Sequence, residues 1–115
     1  MAFRLSARAR RDLDKTLRYS FDKHGRDAAG RYQLLLTTAM EDVGRQPLLK
    51  GSRAVRARPG VRSYYIAHSR LHLPREQRVV NPVHQLLYRL AADDVVEILA
   101  VIGDSYPPAR VPLPR

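Results

Sequence analysis

The sequence predicts an α+β protein in which a helical hairpin packs on an antiparallel sheet, in the order β-α-α-β-β-β. Three observations predict it. Residues 82–102, PVHQLLYRLAADDVVEILAVI, are two runs of aliphatic, β-branched and aromatic residues around a polar Ala91-Ala92-Asp93-Asp94 turn, the pattern of a β-hairpin. Upstream, two stretches repeat apolar residues at helical spacing on either side of Gly25. Between helices and hairpin, VRSYYIAH at 61–68 reads as a further strand.

In chain order, residues 2–5 suit a short edge strand, and Ser6 suits the N-cap of a helix running to about His24. Ala9, Leu13, Leu17 and Phe21 lie four apart and form its apolar stripe, with Arg8, Arg10, Arg11, Asp12, Asp14, Lys15 and Arg18 on the wet remainder. Asp27 is placed to cap a second helix to about Val43, in which Ala28, Tyr32, Leu35, Leu36, Ala39, Met40 and Val43 mark the buried face. Gly44 and Pro47 close it. Residues 46–60 then read as a basic loop carrying Lys50, Arg53, Arg56 and Arg58, and 69–81, with Pro74, as a solvated excursion or frayed strand. If Leu90 pairs with Val95 across the turn, Val83, Gln85, Leu87 and Arg89 share a face with Val96, Ile98, Ala100 and Ile102. His84, Leu86, Tyr88 and Leu90 then face the same way as Val95, Glu97, Leu99 and Val101. Both faces are largely apolar, so each needs a cover, and the helices supply only one. The expectation is that a partner covers part of the other and that the protein alone is poorly soluble.

Length and composition limit the function classes. At 115 residues with 44% hydrophobic content the chain suits one domain, 1–115, with 103–115 as an extended, proline-rich tail. The absence of cysteine excludes a disulfide framework or thiolate metal site. The opening MAFRLSARARRDLDK has no apolar leader core, and no run approaches the ~20 apolar residues of a membrane span, so a cytoplasmic location and no membrane partner are expected. The net charge of +10 predicts attraction to a polyanion or an acidic protein. His68 and His72 fall on a strand end and loop with no third ligand, and the glycines are scattered singly, so neither a metal nor a nucleotide cofactor is expected. Gly103-Asp104-Ser105 has no partner histidine at a recognisable spacing, which argues against a serine triad.

Several short motifs, in order, resemble the ParE branch of the RelE/ParE toxin superfamily. Phe3-Arg4-Leu5-Ser6-Ala7-Arg8-Ala9 through Asp12-Leu13, Leu17 and Tyr19 is similar to its opening strand and helix. Gly25, Ala28, Tyr32 and Pro47 follow the family pattern, Gly60-Val61-Arg62 resembles its Gly-x-Arg, and His84 to Arg89 its His-x-x-x-Tyr-Arg strand. Val96 to Ile102 resembles the last strand. Residues 69–81 exceed the family's tight turn, and Gly103 stands where many members carry histidine. The resemblance implies a toxin that traps DNA gyrase without chemistry of its own. It also implies an acidic ParD-like antitoxin that neutralises the toxin in a hetero-oligomer by folding a flexible segment onto it.

Under that resemblance the candidate target-binding residues are Arg62, Arg89, Tyr88, Tyr106 and Arg110, and the candidate antitoxin-binding residues are Leu13, Leu17, Tyr32, Leu36, Leu86 and Leu99. Two alternatives remain. One is a ribosome-dependent mRNA endonuclease of the RelE kind, for which Arg62, Arg89, Tyr65, Tyr88 and Tyr106 could surround a scissile phosphate. The other is a basic nucleic-acid-binding module, which the mixing of Asp12 and Asp14 into the first helix's basic face disfavours.

Overall fold

A computed structural model describes residues 3–113, so Met1, Ala2, Pro114 and Arg115 lie outside the described residues, including the first position expected in the opening strand. The elements are β1 (Phe3–Leu5), α1 (Ala7–His24), α2 (Arg26–Arg45), β2 (Ser52–Ala54), β3 (Val61–Tyr65), β4 (His84–Leu90) and β5 (Val96–Gly103). Short 3-10 helices fill Ile66–His72, Arg75–Gln77 and Pro108–Arg110. One five-stranded sheet runs β1-β5-β4-β3-β2. It is mixed rather than antiparallel, because β1 pairs parallel to β5. The α+β class and the order of short strand, two helices and sheet are as the sequence predicts.

Both helices form through local capping and apolar spacing. Ser6 Oγ accepts the Ala9 amide at 3.0 Å, the N-cap contact expected of serine. Gly25, at φ +90°, donates its amide to Phe21 and then accepts that of Ala29, ending α1 and starting α2 with a single residue. Gly25 therefore replaces Asp27 as N-cap, and Asp27 sits instead in the first turn, where its charge complements the helix dipole. Tyr32, Leu35, Leu36, Ala39, Met40 and Val43 bury against the sheet, as do Ala9 and, in part, Leu13 and Leu17. Phe21 does not follow the stripe; it is half exposed at the far end of the hairpin, beyond the reach of the strands.

The hairpin's faces differ from the expected ones because of a bulge. Leu90 pairs with Val96, not Val95, which belongs to the turn, where Asp94 takes φ +63°. Leu87 then faces Ala100 while Tyr88 faces Ile98, leaving Leu99 as the extra residue. Val96 and Ile98 consequently join Leu86 and Tyr88 under the helices, whereas Leu99 joins Ala100, Ile102 and Leu87 on the opposite side. Glu97, paired with Arg89, lies on the far side from Tyr88.

That opposite side has a cover within this chain. Val55, from the turn after β2, and Val111, from the tail, bury over Leu87, Leu99, Ala100 and Ile102, with Val61 and Leu113 at the margin. The tail is thus a folded strap with a 3-10 turn rather than an extended segment. Gln85 Nε2 donates to the carbonyls of Gly103, Asp104 and Tyr106, and Arg8 Nη1 reaches the Pro112 carbonyl at 2.8 Å. The expectation of a bare second face is corrected accordingly.

The loop expected at 46–60 contains β2, a three-residue edge strand on β3. The strand expected at 61–68 stops at Tyr65, and the segment after it is packed rather than solvated: Ile66, Ser69 and Leu73 are buried. Asp42 of α2, only 3% exposed, anchors it by accepting from Ser69 Oγ at 2.6 Å and His72 Nδ1 at 2.7 Å, with Arg45 at 2.5 Å. Ser69 Oγ, having given its proton to Asp42, accepts from Tyr64 Oη at 2.8 Å. On α1, Ser6 and Asp12 play a similar part: beyond β1 the free edge of β5 gives the Leu99 carbonyl to Ser6 Oγ and takes Asp12 Oδ2 on the Val101 amide. Asp12 is therefore a strand-edge acceptor rather than a solvated charge.

Candidate functional site

Of the target-binding candidates, Arg62 and Tyr88 are committed to structure. Arg62 Nε donates to Ser52 Oγ at 2.6 Å, Ser52 Oγ lies 2.5 Å from Tyr88 Oη, and Tyr88 Oη donates to the Pro47 carbonyl at 2.5 Å. This relay ties β2 and the end of α2 to the sheet, and Tyr88 is fully buried within it. Burial, as the first cause, raises the Tyr88 phenol above its ordinary pKa, so it remains a neutral donor. Arg89 is exposed and pairs with Glu97 Oε1 at 2.8 Å. Tyr106 and Arg110 are exposed in the tail. Arg89 sits at the turn end of β4, and Tyr106 follows Gly103, which pairs with His84 at the other end. With ~3.3 Å per residue, roughly 17–20 Å of strand separates those ends, so the five candidates form no single cluster.

The antitoxin candidates are placed differently again. Tyr32, Leu36 and Leu86 are buried in the core beneath the helices, Leu99 is buried under the strap, and Leu13 and Leu17 are partly buried against the first core. A partner docking on this conformation does not reach Leu36, Leu86 or Leu99, whose apolar surface the fold itself takes up, whereas Tyr32 also lines an open cleft.

What the fold does present is a cleft of about 890 Å³ between the helical hairpin and the segment leading into β4. On α1, Lys15, Thr16, Tyr19 and Ser20 line it from the flank of the helix beside the buried stripe, and His24 enters from the last turn. Ala28, Arg31 and Tyr32 enter from α2, and residues 78–83 form the other wall. Three apolar side chains stand open here: Tyr19 is 56% exposed, Val83 41% and Val80 91%. Lys15, His24, Arg31 and Arg78 surround them, and no lining residue is acidic.

Tyr32 and His84 hold the cleft floor. Tyr32 Oη accepts the Val83 amide at 3.1 Å and lies 2.5 Å from His84 Nδ1, with the rings edge to face at 5.5 Å. Nδ1 accepts from the Tyr32 hydroxyl when His84 is the imidazole protonated at Nε2, and burial favours the neutral ring. Burial lowers the His84 pKa, outweighing the opposite pull of Asp104 and Asp12, and the same burial raises that of Tyr32. Sequence reasoning missed this cleft. The signal was available in Lys15 and Tyr19, which stand one helical turn apart outside the apolar stripe.

Among the described residues no group of three or more histidine, cysteine or acidic side chains is arranged to hold a metal, and no helix is long and apolar enough to cross a membrane.

A solved structure of the "Chromosomal ParDE TA system from P. aeruginosa" superposes with a TM-score of 0.57 over 90% of this chain and 95% of that one, at 16% identity. At that identity the likeness speaks for the fold. No curated protein matches the sequence. The family model described as "ParE toxin of type II toxin-antitoxin system, parDE" matches residues 3–105, from β1 past the end of β5. Strand, helical hairpin, sheet and motif order all fall inside that match, and the chain belongs to the ParE toxin family of type II toxin–antitoxin systems.

Proposed function

We propose that this toxin acts in the cytoplasm on DNA gyrase, stalling replication, and that an acidic ParD-like antitoxin neutralises it in a hetero-oligomer. The carrying observation is the family match over 3–105 on a chain of net charge +10. Electrostatics supports docking on an acidic or polyanionic assembly: among the described residues, arginine–carboxylate ion pairs engage only Arg4, Arg8, Arg45 and Arg89. Arg89, Tyr106 and Arg110 remain the contact candidates on the toxin. Docking is favoured over cleavage because Tyr88, one of the residues that could surround a scissile phosphate, is fully buried with its proton given to Pro47, and Arg62 spends its Nε on Ser52.

The endonuclease reading keeps one observation in its favour, the Tyr32–His84 pair on the floor of a cationic cleft. The test is induction in a bacterial host with DNA damage and translation followed separately. Gyrase trapping gives a prompt SOS response with translation intact. Immediate loss of protein synthesis with cut mRNA, abolished by His84→Gln, replaces the gyrase reading with the nuclease.

A further inference from the structure

We propose that the cleft between α1, α2 and residues 78–83 is the seat of a short acidic, amphipathic segment of the antitoxin. This rests on the toxin–antitoxin reading and adds to it the place and the chemistry of the contact. The cleft combines open apolar side chains with charge of one sign. Val80, Val83 and Tyr19 present aliphatic and aromatic surface, and a valine that is 91% exposed on a wall leaves apolar area in water that a partner's apolar side chain would remove. Lys15, Arg31 and Arg78 stand around that surface with no carboxylate within ion-pair distance among the described residues, although other arginines of the chain do have one.

The wall is also held firm. The Val83 amide is fixed on Tyr32 Oη, the Val80 carbonyl accepts from Arg70 Nη1 at 3.1 Å, and Arg78 Nε is tied to the Leu73 carbonyl at 2.9 Å. A preorganised wall lowers the ordering cost of binding. The α1 residues that line the cleft span about 13 Å of helix axis, the length of two to three helical turns. An occupant with apolar residues on one side and Asp or Glu on the flanks satisfies both features. A second copy of this chain does not, since it brings +10 of like charge. Nucleic acid would satisfy the cations but leave Val80 and Val83 facing a phosphate backbone.

The test measures binding of the acidic protein encoded beside this toxin to the full-length chain by calorimetry, with nucleic acid assayed in parallel as a labelled single-stranded oligonucleotide. Val80→Asp probes the apolar wall, and Lys15→Glu with Arg31→Glu probes the cations. Arg53→Glu with Arg56→Glu, at the β2 edge away from the cleft, is the control. Val80 is so exposed that its substitution leaves folding intact even where the double reversal does not.

The expected result is antitoxin binding weakened roughly 10- to 100-fold by each cleft variant that remains folded, with the control near wild type. Wild-type toxin that binds no antitoxin at all overturns the toxin–antitoxin reading and the seat together. Tight wild-type binding that is equally tight in Val80→Asp and the cation variant overturns the seat alone. Antitoxin binding retained while oligonucleotide binding disappears overturns it in favour of a nucleic-acid site. A wild-type dimer broken by Val80→Asp overturns it in favour of self-association.

Discussion

Replacing Asp42 by alanine is expected to be among the most damaging single changes outside the apolar core. The carboxylate is 3% exposed and accepts three hydrogen bonds, from Ser69, His72 and Arg45. Arg45 and His72 are largely exposed and recover water when the carboxylate goes, so their loss contributes little. Ser69 is fully buried, and without Asp42 its hydroxyl proton has no acceptor, which costs about 1–3 kcal/mol. The vacated side-chain volume beside Ser69 and the loosened Ile66–His72 helix add about 1–2 kcal/mol more, while release of a buried charge offsets part. The net destabilisation is about 2–4 kcal/mol, a lowering of Tm by roughly 8–20 °C for a domain of this size. Urea and thermal unfolding of Asp42→Ala, Ser69→Ala and the double variant measure it. The double variant should cost less than the sum of the two single changes, because the Ser69 hydroxyl that Asp42→Ala orphans is then absent, although Tyr64 Oη loses its acceptor. A loss below about 1 kcal/mol in Asp42→Ala, or strictly additive effects in the double variant, would refute the anchoring role.

Three other outcomes are expected. Stability should fall with pH below about 6.5: the folded pKa of His84 lies below its unfolded value of 6.5, so the unfolded chain takes the proton first, and the loss continues until pH passes the folded pKa. Chemical denaturation between about pH 5 and 8 should show this slope in the wild type and a flatter one in His84→Gln. Val111→Asp should pry the strap from the second apolar face, lowering stability by about 2–4 kcal/mol and raising binding of an apolar-surface dye; unchanged dye binding counts against the strap as a cover. Arg62→Ala should lower Tm through the Ser52 and Tyr88 relay, whereas Arg89→Ala, losing one exposed pair worth about 0.2–1 kcal/mol, should leave Tm nearly unchanged and reduce toxicity in a graded way at equal folded protein. Complete loss of toxicity in a folded Arg89→Ala moves the case toward catalysis.

The features legible in the sequence are those that local physics dictates. The two helices follow from apolar spacing, from Ser6 as a cap and from Gly25 as a stop, all of which act within a few residues of the chain. The strands of the hairpin were legible as strands, but not their faces, since the slip to Val96 and the extra residue at Leu99 depend on packing against distant elements and leave no mark in composition. β2, reading Ser-Arg-Ala, has no strand pattern because an exposed edge demands none. The site suffered from the same limit in reverse. Tyr88, Leu86 and Leu36 stand out as large and apolar, and the fold uses them for itself. Val80 and Arg78 gain meaning only when a loop is set against a helix more than fifty residues away.

The parallel pairing of β1 with β5 has a consequence for how the molecule comes into being. Ser6 and Leu99, which share a hydrogen bond at that seam, are 93 residues apart. At roughly 5–20 residues per second of synthesis, the first strand waits on the order of 5–20 s for β5, its partner in the sheet, to be made. Until then Phe3 and Leu5 have no sheet to join, and α1 has no strand edge for Asp12 to hold. Closing so long a loop is also slow on release, since non-local contacts form only after the chain entropy between them is lost. A newborn chain therefore passes through a stage in which helices exist and the finished toxin does not, and a partner synthesised nearby has that interval in which to meet it.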